Sequence, residues 1–331
     1  MKIKFNTDTL EPMIGWLREY RNTGRRDPDK LKEILSMPDY QIEFRRYGME
    51  GLPVCGISRE EAFDFFMRFD KGEFDNPRLK LKQPSFMRFF EELDERVKGI
   101  SVFSSVSDDD CAVIEKLLQN GLPDDVQNET EELEIILIVS IGNSMGWPFG
   151  NYVDYDVANL DLFETKDDFL HLTAHEIHHL FLGSMLFGEG IRSEDFFLQN
   201  FAYEGLAVHF NNNLGTRMKS PKYPGKTYMM QKDDMEFYEQ HFDEIFSMIR
   251  SDFETSKALS VEEVMKLVSK HYEQFEFMGK PVRQYPTYYF GCYLWGLVDL
   301  AFGKEKLFEA ITDPPLFRKL YNSVSEEKYR L

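Results

Sequence analysis

The run His175-Glu176-Ile177-His178-His179 fits H-E-x-x-H, a pattern whose chemistry works only on an α-helix, so it dictates the local fold around itself. At 3.6 residues per turn, His175 and His179 stand one turn and about 40° apart, and both imidazoles can aim at one point. Glu176 then projects beside that point. A chain of this composition would produce the pattern by accident about one time in a hundred, so the flanks decide its weight. Upstream, Thr165-Lys166-Asp167-Asp168 reads as a capping box, and Phe169, Leu170, Leu172, Ile177, Leu180 and Phe181 supply an apolar face. A helix is predicted from there to about Phe187, broken by Gly188 and Gly190. A second is predicted from Ser193 to Phe196 onward, ending at Gly215.

Two histidines at this spacing can hold Zn2+, and the glutamate can take a proton from a water whose pKa the metal lowers to about 7. A catalytic zinc site usually takes three protein ligands. The downstream candidate is Glu204, within Tyr203-Glu204-Gly205-Leu206-Ala207. His179 precedes the break by about eight residues and Glu204 follows the restart by about eight to eleven, so antiparallel packing would bring them level. Glu189, Glu194 and Asp195 are competing carboxylates.

At these residues the chain resembles the gluzincin metallopeptidases, in which an H-E-x-x-H helix is followed by a helix donating a glutamate, often from an E-G-x-A stretch. Twenty-four residues, 180 to 203, separate His179 from Glu204, more than in thermolysin-like enzymes and zinc aminopeptidases, which makes Gly183 to Arg192 an insertion. Tyr288-Tyr289-Phe290-Gly291 is similar to the Y-x-x-G helix of gluzincin aminopeptidases, and the match implies that the Tyr288 hydroxyl stabilises the tetrahedral intermediate. Tyr285 and Tyr289 are the neighbours that a shifted frame would promote, and an aromatic stripe through Tyr285, Tyr288, Tyr289 and Tyr293 also fits plain core packing. The resemblance further implies a substrate-pairing edge strand within Ile141 to Val157. Two departures stand out. Gly142-Asn143-Ser144-Met145-Gly146 lacks the carboxylate with which aminopeptidases hold a free amine, and Val208 replaces the carboxylate that supports a histidine in thermolysin-like enzymes. The likeness is strongest over roughly residues 130 to 330, and is greatest to bacterial families of zinc-dependent peptidases known only from sequence.

The expected fold is α+β and predominantly α-helical, a gluzincin-like catalytic lobe with a small β-sheet beside the zinc helix. Residues 1 to 130 read as a mainly helical lobe, with apolar spacing at Leu10, Met13, Ile14 and Leu17 and at Ala62, Phe63, Phe65, Phe66 and Phe69. Residues 131 to 331 form the catalytic lobe, its strands at 133–141 and 152–162 joined by a glycine-containing turn and followed by helices. The stretch Met218 to Lys232, with Pro221, Pro224 and Gly225, is long enough to rim a cleft.

With 58 acidic against 39 basic side chains the formal charge is −19, which disfavours nucleic acid and anionic membrane surfaces and favours basic peptides or cations. No apolar core of about 7–15 residues follows Met1, so no secretory signal is visible, and Cys55, Cys111 and Cys292 show no paired spacing; a cytoplasmic protein is expected. His171, His178, His209, His241 and His271 read as structural or supporting histidines. Three functions fit. The first is a zinc endopeptidase acting on a peptide or protein substrate through Glu176 and Tyr288. The second is a non-peptidase zinc hydrolase acting on a small amide or epoxide. The third is a catalytically silent peptide-binding protein of the same fold, against which the intact Glu176 argues. Oligomeric state is not written in these residues.

Overall fold

The computed structural model describes residues 2–48, 56–123, 132–142, 146–162, 165–187, 190–212, 232–271, 275–282 and 285–331. The fold is α+β and predominantly α-helical. The chain forms two compact units, one of residues 1–111 and 131–166, the other of residues 112–130 and 167–331. The strand segments near 133 and 152 therefore group with the N-terminal helices, whereas the expected lobe boundary near residue 130 groups them with the helices downstream.

The first unit contains β1 (Lys2–Asn6), α1 (Leu10–Thr23), α2 (Pro28–Leu35), α3 (Pro38–Tyr47), α4 (Arg59–Arg68), α5 (Pro77–Glu91) and α6 (Leu93–Ser104). Helix α7 (Asp108–Gly121) carries the chain into the second unit, and β2 (Glu132–Ile138), β3 (Gly146–Phe149) and β4 (Tyr152–Asp156) return to the first. The breaks are chemical. Helix α1 stops at Gly24, whose φ of 70° is left-handed, and α2 starts on the Asp27 carboxylate, which accepts from the amides of Asp29 and Lys30. The phenylalanines of α4 make the core: Phe65, Phe66 and Phe69 surround Phe86 of α5 at ring-centroid distances of 5.2, 5.6 and 4.8 Å.

The sheet order is β1-β2-β4-β3, with β1, β2 and β4 parallel and β3 antiparallel on one edge. Strand β2 is central and buried on both faces, which is why Leu133 and Ile135 to Ile138 form a dense apolar run instead of alternating. The expected direct turn between the two apolar segments is not formed. Strands β2 and β4 are parallel and cannot share a hairpin; β3 intervenes, and the turn at Gly150 joins it to β4. The strand expected to run to Leu162 ends at Asp156, whose side chain accepts from the amide of Ala158 two residues on and turns the chain into a 3-10 helix, Val157–Leu162.

Charge is buried beside this sheet. Lys82 of α5 pairs with Asp156, both side chains fully enclosed, and Asp156 also accepts from the Ser140 amide at 3.1 Å. Glu43 of α3 accepts from the Ser140 hydroxyl and from the Ile141 amide. Burial raises the Glu43 carboxyl to about 7 despite those hydrogen bonds. Because the folded pKa lies above the ordinary 4.5, the folded state holds the extra proton between these values, and stability falls as pH rises through that window. The Glu43 share of that loss between about pH 4.5 and 7 is on the order of 2–3 kcal/mol, so the profile of Glu43→Gln should fall less steeply than that of wild type by about this amount. Urea midpoints across that range check it, and parallel profiles for the two proteins would refute it.

The second unit contains α8 (Lys166–Leu186, from Asp167 on), α9 (Ser193–Asn211), α10 (Lys232–Gln240), α11 (Phe242–Ser256), α12 (Val261–Ser269), the short hairpin β5 (Glu276–Phe277) and β6 (Lys280–Pro281), α13 (Pro286–Phe302), α14 (Lys304–Thr312) and α15 (Pro314–Val324). The hairpin turns on Met278 and Gly279, both at positive φ. Helix α9 is enclosed on nearly every side from Phe197 to Asn211, as its all-round apolar sequence requires. No described helix is long and apolar enough to cross a membrane.

Candidate metal centre

Helices α8 and α9 follow the expected spans closely, although Gly215, Gly188, Glu189 and the proposed rim at 218–231 lie outside the described residues. His175 and His179 are one turn apart on α8, both buried, with their Nε2 atoms 3.0 Å apart. Glu204 of α9 reaches them: its Oε2 lies 3.3 Å from each Nε2, and the three ligand atoms fall within 4.8 Å of one another. Among the described residues this is the one such group. The competing carboxylates are engaged elsewhere. Asp195 pairs with Arg192 and Arg318 at 2.7 Å each, and Glu194 lies 3.4 Å from Arg192.

The donor set fits a divalent cation. His175 Nδ1 lies 2.7 Å from Asn212 Oδ1, so this nitrogen donates and leaves the Nε2 lone pair aimed at the shared point. Glu204 Oε2 is buried and has no hydrogen-bond donor of its own. Burial alone would lift the Glu204 carboxyl, yet the two imidazoles outweigh it and hold its pKa well below the usual range. Burial likewise pushes His175 down, and the Glu204 carboxylate outweighs that and raises it. A proton on the histidine pair and a metal ion are thus alternative partners for one buried carboxylate, and two imidazoles with one carboxylate is a recognised zinc donor set.

Glu176 is half-buried next to His175. Tyr288, in the first turn of α13, stacks its ring on His175 at 6.0 Å between centroids and 10° between planes. Its neighbours stand differently. Tyr289 is buried against Tyr238 and Phe242 and donates to Glu239, while Tyr285 precedes the helix at its N-cap, 6.4 Å from the Tyr288 ring.

The other histidines are occupied away from this point. His178 Nε2 donates to the Gly121 carbonyl at 2.9 Å, and burial pushes its pKa down to about 3, so it stays neutral. His171 meets the Asn211 carbonyl, His209 lies 2.8 Å from Asp299, His271 lies 2.9 Å from Asp252, and His241 packs on Phe237.

Three contacts escaped the sequence. Tyr203 lies flat on His179, with centroids 4.0 Å and planes 16° apart. Asn212 supports His175 from the C-cap of α9. Gly205 of α9 and Gly291 of α13 touch backbone to backbone: a Cβ on Gly205 would sit 2.1 Å from the Gly291 carbonyl carbon, and one on Gly291 would sit 2.1 Å from the Phe201 oxygen. A glycine directly after the candidate ligand and another three after the candidate tyrosine were visible signals, but nothing in the sequence says that they meet.

No curated protein and no solved structure matches the chain. A family model described as "putative zinc dependent peptidase" (DUF5700) matches residues 69–329, a stretch that contains His175, Glu176, His179, Glu204 and Tyr288. The chain belongs to this family, whose description agrees with the metal chemistry of the buried His-His-Glu group.

Proposed function

We propose that the chain is a zinc-dependent endopeptidase. The observation that carries this reading is the convergence of His175, His179 and Glu204 in a buried group, with Glu176 one residue from the first histidine. These three residues would hold the metal, as a catalytic zinc site with three protein donors requires. When bound, zinc supplies Lewis-acid polarisation and lowers the pKa of water to about 7. Glu176 accepts the proton of the attacking water and holds it for the departing amine. Tyr288 donates its phenol hydrogen to the scissile carbonyl oxygen as negative charge grows there. The endopeptidase reading rests on the sequence, in which the stretch nearest to the amine-holding segment of aminopeptidases, Gly142 to Gly146, has no carboxylate.

The test is cleavage of a library of N-acetylated peptides with and without chelator, alongside elemental analysis. One zinc per chain and internal cleavage that chelator abolishes and zinc restores are expected. His175→Ala or His179→Ala should remove tight zinc binding, and His178→Ala should not. Hydrolysis confined to unblocked termini would make the enzyme an exopeptidase. Zinc without any peptide cleavage would favour a small-molecule hydrolase or a binding protein.

Tyr288 is tested separately. A hydroxyl that acts only in the transition state predicts that Tyr288→Phe lowers kcat by about 10²–10³ while KM and zinc content hold. Tyr289→Phe, altering a packed side chain, should leave kcat near wild type. The reverse outcome would shift the oxyanion donor by one residue.

A further inference from the structure

We infer that Asn212 is a positioning residue for the metal centre, fixing the tautomer and the orientation of His175; this rests on the metal reading above. A neutral imidazole has two tautomers, and only the one with hydrogen on Nδ1 leaves the Nε2 lone pair free for a cation. On the solvent side of a protein both would exchange freely. Here His175 is buried, and its Nδ1 faces the Asn212 side-chain oxygen at 2.7 Å. Asn212 is itself 1% exposed and stands at the end of α9, where its backbone amide caps the helix on the Val208 carbonyl at 2.9 Å. It is thus held by the same rigid helix that delivers Glu204, eight residues earlier and about 12 Å away along the axis. Val208, four residues after Glu204, is fully buried and apolar and offers His175 nothing.

The two histidines are fixed by different means. His179 has no hydrogen-bond partner on Nδ1 among the described residues and is held flat by the Tyr203 ring, whereas His175, besides its stacking on Tyr288, has a directional acceptor on Nδ1. Loss of that acceptor frees the imidazole to adopt the wrong tautomer or to turn its lone pair away from the shared point. Support of this kind typically changes metal affinity by about 10–100-fold.

The experiment compares zinc dissociation constants, by competition with a chromophoric chelator, for wild type, Asn212→Leu and Asn212→Asp. Leucine keeps the volume and removes the acceptor, and aspartate can only accept. Asn212→Leu should bind zinc about 10–100-fold more weakly, and Asn212→Asp should bind within about threefold of wild type or more tightly. The metal-free melting temperature of each variant separates this from general destabilisation. In metal-free wild type, 15N–1H correlation of the His175 ring should show hydrogen on Nδ1, a measurement that needs no variant. Asn212→Leu with wild-type zinc affinity, equal losses in both variants, or a His175 Nδ1 that carries no hydrogen would each overturn the inference. Wild type without tight zinc would instead remove the metal reading on which it rests.

Discussion

Glu176→Gln should keep its zinc and lose turnover by about 10²–10⁴. The substitution preserves length, volume and one acceptor oxygen, and removes only the ability to take a proton. Glu176 lies half-buried beside His175, while the buried carboxylate that meets both imidazoles is Glu204. The two glutamates should therefore fail in different ways. Glu204→Gln exchanges an anion for a neutral amide and should weaken zinc retention first, with activity following metal content. Zinc analysis and steady-state kinetics on the two variants distinguish the roles, and an exchange of phenotypes would mean that base and ligand have been assigned backwards.

Gly205→Ala should be strongly destabilising. The added carbon would lie 2.1 Å from the Gly291 carbonyl carbon and 2.5 Å from the Cys292 nitrogen, and these are backbone atoms that no rotamer change can move. Helices α9 and α13 would have to separate, at a cost of about 3 kcal/mol or more. Glu204 is the preceding residue, and Tyr288 is three residues before Gly291. Zinc affinity and kcat should consequently fall together. Gly183→Ala is the control: on α8 its Cβ would meet Tyr203 at an ordinary 3.8 Å, and alanine is the better helix former. Thermal unfolding together with zinc content reads both variants. A Gly205→Ala protein with wild-type stability would show that the two helices can part without cost.

The grouping of His175, His179 and Glu204 in the candidate site follows from local rules and is legible in the sequence. His175, Glu176 and His179 need only the helical repeat, and Glu204 needs only two helices packed antiparallel with a short connection. The first helix was equally plain, and Leu10, Met13, Ile14 and Leu17 are all buried in α1. What stayed hidden depends on partners distant in the chain. Strand β1 is five residues long, and its alternation of Lys2, Ile3, Lys4 and Phe5 is too brief to stand out; its partner is β2, whose first residue is Glu132. Asn212 has meaning only once α9 lies against α8, and Gly205 only once α13 crosses α9. The charges of Glu43, Lys82 and Asp156 read as surface until the sheet encloses them. A buried ion pair leaves no periodic signature, because it breaks the pattern by which burial is inferred.

The pairing of β1 with β2 also sets an order of events during synthesis. Lys2 to Asn6 are made well before residues 132–136, which fill their hydrogen-bonding edge. At typical elongation rates that interval takes roughly 6–25 s. Within it the chain also makes residues 112–123, which belong to the other unit. Until β4 closes the sheet, the Lys82 ammonium of α5 lacks its Asp156 partner. Parallel strands this far apart close slowly, because loop entropy is lost before any contact compensates. The nascent N-terminal segment thus passes a long interval with the edge of β1 unpaired, although the phenylalanine cluster of α4 and α5 is complete by residue 91 and can pack in the meantime.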